Sequence, residues 1–94
     1  MTSLTTAPIE ISMNILFFAS LREQLNTGEE KWQDLKGAKT AGDVLQQLKL
    51  RGEPWNKALD NEQLIISVNQ EVAHLNTQIQ LGDELAIFPP VTGG

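Results

Sequence analysis

Chemistry on an unaided chain needs a positioned base, nucleophile or metal, and these 94 residues supply few candidates. There is one histidine, His74, and there is no cysteine. The sequence therefore offers no disulfide framework, no thiolate zinc site and no sulfur nucleophile. His74 stands in a polar turn region without the several donors a metal requires, so it reads as a surface residue. No carboxylate cluster suits acid–base work, and no glycine-rich loop follows a strand to cradle phosphate. No catalytic residue, metal ligand or bound cofactor is assigned. What remains is the end of the chain, Pro89-Pro90-Val91-Thr92-Gly93-Gly94. Its two prolines stiffen the base toward polyproline geometry, and the segment reaches about 20 Å when extended. The two glycines have no Cβ, which makes the narrowest peptide tip and one able to enter a tunnel on another protein. A terminal carboxylate is ionised at neutral pH and is a poor electrophile until an activating enzyme gives it a better leaving group. The plain alternative is a frayed end of no consequence. Against that stand the exit angle locked by Pro-Pro and the aromatic Phe88 at the boundary.

The elements that must hold this tail follow from periodicity. Residues 13–19 are β-branched, aromatic or long apolar, with Met13, Ile15 and Phe17 on one face of a strand and Asn14, Leu16 and Phe18 on the other. Ser20 with Glu23 three residues on is a capping-box pattern, which predicts a short helix over 20–26 closed by Thr27-Gly28. Residues 29–35 read as a weak edge strand ended by Lys36-Gly37. Thr40 and Asp43 repeat the N-cap logic, and Val44, Leu45 and Leu48 fall at helical spacing until Gly52 supplies a C′ residue, which makes this the main helix. Glu53-Pro54-Trp55 breaks and restarts the chain, and Asp60-Asn61-Glu62 turns it into a strand over 64–69. Asn69-Gln70 turns into a short strand at 71–73, and Gly82-Asp83 leads into a last strand over 84–88. Pro89-Pro90 then forbids further pairing, because neither residue donates a ladder hydrogen bond.

A small sheet with one principal helix on one face is an α+β roll, and this element order fits the ubiquitin-like β-grasp. The expected organisation is an N-terminal arm at 1–11, a β-grasp domain at 12–88 and a projecting tail at 89–94. The expected core is Ile15, Phe17, Val44, Leu48, Leu64, Ile66, Val68, Leu85 and Ile87, with Trp32 and Trp55 packed in or against it. The chain is too short for two cores.

Seven Lys plus Arg against twelve Asp plus Glu give a formal charge of −5, and the cations are scattered singly. That balance disfavours nucleic acid and anionic lipid as partners. Glu23, Glu29, Glu30, Glu53, Asp60 and Glu62 form a solvated surface that could also steer a basic partner. The longest apolar run, 15–19, is far below the roughly 20 residues of a membrane span. Residues 1–12 lack a basic n-region and an apolar h-region, so a cytoplasmic location is expected.

The stretches 15–23, ILFFASLRE, and 82–94, GDELAIFPPVTGG, resemble the small sulfur-carrying subunits of molybdopterin synthases. The likeness covers 12–94, most specifically at the C-terminal motif and only in pattern over 29–77, and residues 1–11 precede that family's usual start. The resemblance implies a β-grasp carrier rather than an enzyme. Its terminal glycine, here Gly94, would be adenylated by an E1-like activating enzyme using ATP and converted by a sulfur donor protein to a thiocarboxylate. The tail Pro89, Pro90, Val91, Thr92, Gly93 and Gly94 would then enter a large catalytic subunit, within a heterotetramer, where cyclic pyranopterin monophosphate becomes molybdopterin. Without cysteine, a sulfur carrier has only its terminal carboxyl on which to mount sulfur. Related carriers for thiazole synthesis or tRNA thiolation, a ubiquitin-like protein modifier and a binding module with an inert tail are the competing readings.

Strand parity extends this to a surface. If the core set faces the helix, then Leu16, Phe18, Ile65, Ala86 and Phe88 point to the opposite face of the sheet. Phe18 and Phe88 are expected to anchor the large subunit beside the tail, with Leu16 and Ile65 around them. Arg22 matches the family's arginine, as a contact to an acidic partner group or as a solvated side chain.

Overall fold

The computed structural model describes residues 11–90. Of the arm expected at 1–11 it describes only Ile11, and Val91, Thr92, Gly93 and Gly94 lie outside the described residues. The elements run β1 (Met13–Phe17), α1 (Ala19–Leu25), β2 (Glu29–Trp32), α2 (Ala41–Lys49), α3 (Trp55–Ala58), β3 (Ile65–Val68), β4 (Glu71–Ala73) and β5 (Glu84–Phe88). The five strands form one mixed sheet in the order β2-β1-β5-β3-β4, with β1 and β5 parallel and the other pairs antiparallel. With α2 packed on one face, this is the β-grasp architecture that the element order implies.

The core lies between the sheet and α2. Ala41, Val44, Leu45 and Leu48 are buried at helical spacing, opposite Ile15, Phe17, Ile66, Leu85 and Ile87. A fully buried side chain of this size contributes about 1.5–3 kcal/mol. Leu64 and Val68, expected in the core, are only half-buried and pack against its rim. Met13, Leu21, Leu25, Trp32, Ala38, Leu59, Ala73 and Ile79 complete it.

Local chemistry explains the main boundaries. At the start of α2 the Thr40 side chain accepts the Asp43 N–H at 3.1 Å, and the Asp43 carboxylate accepts the N–H groups of Lys39 at 2.9 Å and Thr40 at 3.2 Å. The capping box expected here is present. Those hydrogen bonds, from Lys39 and then Thr40, hold the Asp43 carboxyl below its ordinary pKa. The β3–β4 turn places both Asn69 and Gln70 at positive φ, 53° and 69°, as a two-residue type I′ hairpin requires.

The first helix departs from expectation. Ser20 does not cap it, because the helix begins at Ala19 with Phe18 at the N-cap and no side-chain cap. Phe18 still donates its N–H to the Ile87 carbonyl at 3.2 Å, so the chain stays on the sheet through residue 18 and turns at once, with Ala19 at φ 54°. The helix closes on Asn26, a residue type that tolerates the left-handed conformation, rather than on Thr27-Gly28. Likewise α2 stops at Lys49 with Leu50 as C-cap, and Gly52, at φ 89°, lies beyond it. The chain then restarts as α3, a single turn with no side-chain cap, which the sequence pattern does not announce.

A side-chain clasp joins α3 to the far edge of the sheet. Arg51 makes two hydrogen bonds to Glu30 of β2, at 2.6 and 2.9 Å, and its guanidinium lies 4.5 Å from the centre of the Trp55 ring. Trp32 donates its indole N–H to the same carboxylate at 3.1 Å. The Arg51 hydrogen bonds, helped by Trp32 and opposed by desolvation, hold Glu30 below its ordinary pKa. Trp55 in turn sets its ring edge-on against Phe17, 5.5 Å between centroids.

Candidate functional surface and tail exit

Beyond its last ladder residue, β5 runs directly into Pro89 and Pro90, so the tail leaves from the centre of the sheet rather than from an edge. Up to Phe88 the chain is still held on the sheet, paired with Ile65 of β3. Proline has no N–H to continue that ladder, and its fixed φ carries the chain away. Both prolines are half-buried along a shallow groove lined by Ser20 and Gln24 of α1 and by Lys57 and Ala58 of α3.

The sheet register brings together the residues that parity places on the outer face. Leu16 is opposite Ala86 and Ala86 opposite Ser67, while Phe88 is opposite Ile65 in the next outward position. Phe18 retains extended backbone at the N-cap of α1, so its side chain continues the outward alternation of β1. It stacks on Phe88 with centroids 4.6 Å apart and planes 6° from parallel. Phe18 and Ile65 remain 38% and 39% exposed, which is high for such side chains and forms an apolar patch at the foot of the tail. Leu16 and Phe88 are half-buried within it. Ala86, although on this face, is 4% exposed, because its single methyl lies below the larger side chains around it.

One member of the outer face is absent from the sequence reading. Val72 is paired with Ser67 and is 79% exposed, which extends the apolar surface to the β4 edge. Only the β3–β4 register reveals it, since a three-residue strand has too little alternation to assign a face.

Arg22 is exposed on α1, and its side chain lies back over Gly28, where an added Cβ would meet Nε at 3.0 Å. Among the described residues no carboxylate forms an ion pair with it. Its charge is thus available without first breaking an internal pair. His74 is exposed, and its backbone N–H donates to the Thr77 hydroxyl at 2.9 Å. Among the described residues no group of His, Asp and Glu could hold a metal ion, and no helix is long and apolar enough to cross a membrane.

The arrangement can present a peptide and dock an apolar surface next to it. Comparisons with known proteins find relatives over most of the chain. The model of the ThiS family matches residues 15–94. The molybdopterin synthase sulfur carrier subunit of Haemophilus influenzae is 38% identical over 82 residues, 87% of this chain and 99% of that one. The protein of that name from Escherichia coli is 33% identical over 82 residues, with the same coverage of 87% and 99%. The crystal structure of SAMP1, a small archaeal modifier protein from Haloferax volcanii, matches with a TM-score of 0.69 at 32% identity, covering 88% of this chain and 99% of that one.

Proposed function

The chain belongs to the ThiS family, and we propose on that footing that it is the sulfur carrier subunit of a molybdopterin synthase. The observation that carries the reading is the stacked Phe18–Phe88 patch at the point where Pro89-Pro90 directs the chain off the sheet. A partner that covers the patch is thereby placed to receive the tail. The full-length likeness to carriers of that name supports the same reading.

In this scheme the chain contributes a carboxyl group, not a catalytic residue. The Gly94 carboxylate attacks the α-phosphate of ATP within an E1-like adenylating enzyme, pyrophosphate leaves, and the acyl adenylate is an electrophile where the carboxylate was not. Sulfide delivered by a sulfur donor protein attacks the adenylated carbonyl and displaces AMP, which leaves a thiocarboxylate on Gly94. The tail, Pro89 to Gly94, carries that sulfur into the large subunit, which uses two such sulfurs in turn to convert cyclic pyranopterin monophosphate to molybdopterin. Two small and two large subunits form a cytoplasmic heterotetramer. Phe18, Phe88, Leu16 and Ile65 dock the large subunit, and Arg22 meets an acidic group on it.

The test is the intact mass of the chain after incubation with the adenylating enzyme, ATP and a sulfide source, alongside a Gly94-deleted control. The expected result is the gain of one sulfur for one oxygen in the full chain alone. No gain with a competent enzyme would overturn the reading.

The likeness to SAMP1 favours a second reading, a modifier that forms isopeptide bonds through the same glycine. High-mass conjugates in cell extract that vanish when Gly94 is deleted would support it.

A further inference from the structure

The clasp around Arg51 lies far along the chain from the tail, yet its contacts lead to the tail exit. A helix of four residues with no side-chain cap cannot hold itself in place, so α3 depends on what grips it. Its C-terminal end is anchored by Leu59, buried in the core, with Ala58 packed against it, and its N-terminal end has two further grips. Trp55 packs its ring edge against Phe17, which is 1% exposed, and Arg51 covers the Trp55 ring while its two hydrogen bonds tie it to Glu30. From there α3 extends to Lys57 and Ala58, which wall the groove along which Pro89 and Pro90 run. Phe17 also directly precedes Phe18, whose ring stacks on Phe88, the residue before the first proline.

We propose that Arg51 is a positioning residue for the tail: by clamping Trp55 against the sheet it holds α3, and α3 sets the direction in which Pro89-Pro90 presents the C-terminal peptide to the adenylating enzyme. This rests on the sulfur carrier reading. Arg51 touches neither tail nor partner in this role. Its effect reaches the reaction through Trp55 and the α3 wall, so its loss weakens recognition of the carrier and leaves the chemical step intact once the tail is seated. Lysine at this position keeps a cation over Trp55 but not the planar fork that grips both Glu30 oxygens.

The experiment compares the full chain with Arg51→Ala and Arg51→Lys. Hydrogen exchange at the Ala58 and Leu59 amides, which close α3 onto the Pro54 and Trp55 carbonyls, reports whether the helix is held. Steady-state pyrophosphate release with the adenylating enzyme gives KM for the carrier and kcat. In Arg51→Ala the two amides are expected to exchange about tenfold faster, with KM raised about tenfold at unchanged kcat. Arg51→Lys is expected to fall between wild type and alanine in both, and it carries the comparison should the alanine variant not fold. Unchanged exchange, or faster exchange with KM within about twofold of wild type, would overturn the positioning role. A wild-type chain that triggers no pyrophosphate release would instead overturn the sulfur carrier reading, and this proposal with it.

Discussion

Replacing Phe18 by alanine separates docking from folding, because its ring is divided between the two. A phenylalanine side chain presents about 200 Å², and Phe18 remains 38% exposed in the free chain. A partner can therefore remove ~75 Å² from water, which at ~25 cal/mol per Å² is ~1.9 kcal/mol. That corresponds to a ~25-fold weaker Kd for the large subunit. The remaining area, ~125 Å², is already covered in the free chain and contributes at most ~3 kcal/mol to the fold. Domains of this kind have roughly 5–15 kcal/mol of stability, so Phe18→Ala is expected to fold. The assay is calorimetric titration of carrier into purified large subunit, with circular dichroism to verify folding. Leu50→Ala is the control. Leu50 is 77% exposed, more than Phe18, but it stands at the end of α2 on the opposite side of the sheet, and its loss is expected to leave Kd unchanged. A folded Phe18→Ala chain with Kd within about twofold of wild type would refute the assignment of the outer face. Equal weakening by Leu50→Ala would refute it differently, since exposed apolar area rather than a particular face would then govern binding.

Other expectations concern the framework. Gly42→Ala should lower the melting temperature although alanine is the better helix former by about 1 kcal/mol. An added Cβ would lie 2.9 Å from the Leu75 carbonyl oxygen and 3.2 Å from Leu75 Cβ, and such crowding costs about 1–3 kcal/mol. A rise in melting temperature would show that the Leu75 segment yields easily. Thr40→Ala removes the acceptor for the Asp43 N–H and should cost about 1 kcal/mol, read as a drop of about 4–8 °C in the melting temperature. A drop below about 1 °C would mean that the Asp43 side of the box suffices. For pH, Glu30 titrates below its ordinary value of 4.5, chiefly because of the Arg51 hydrogen bonds. As pH falls the unfolded chain takes up the proton first, so the stability tied to this group is present above about pH 4.5 and is lost as pH falls through the lower folded value. Arg51→Ala should flatten that part of the acid limb, while the share due to Asp43, lowered for a separate reason, persists in both chains. Parallel acid limbs in the two chains would contradict the attribution to the clasp.

What sequence alone determined here is what nearest neighbours along the chain determine. Alternation over 13–19, 64–69 and 84–88 assigns strands and their two faces, because side chains leave a strand with a period of two. Thr40 and Asp43 mark the start of α2, because a cap is satisfied within three residues. Pro89-Pro90 ends the sheet, because the missing N–H groups are a property of the residues themselves. The apolar outer positions Leu16, Phe18, Ile65 and Phe88 follow from the same alternation.

Tertiary structure decided whatever depends on residues distant in sequence. Phe18 became the N-cap of α1 in place of Ser20 because the Ile87 carbonyl, on a strand far along the chain, holds its N–H. Arg51 and Glu30 meet across 21 positions, and no local pattern distinguishes that arginine from a solvated one. Val72 joined the outer face through pairing with Ser67, and Leu64 and Val68 fell to the rim of the core because α2 covers the centre of the sheet more fully than that margin. The Phe18–Phe88 stack is the clearest case. Each residue's facing could be read from its own strand, but their contact required β1 and β5 to lie parallel in one register, a choice made by burial of the whole inner face rather than by either segment.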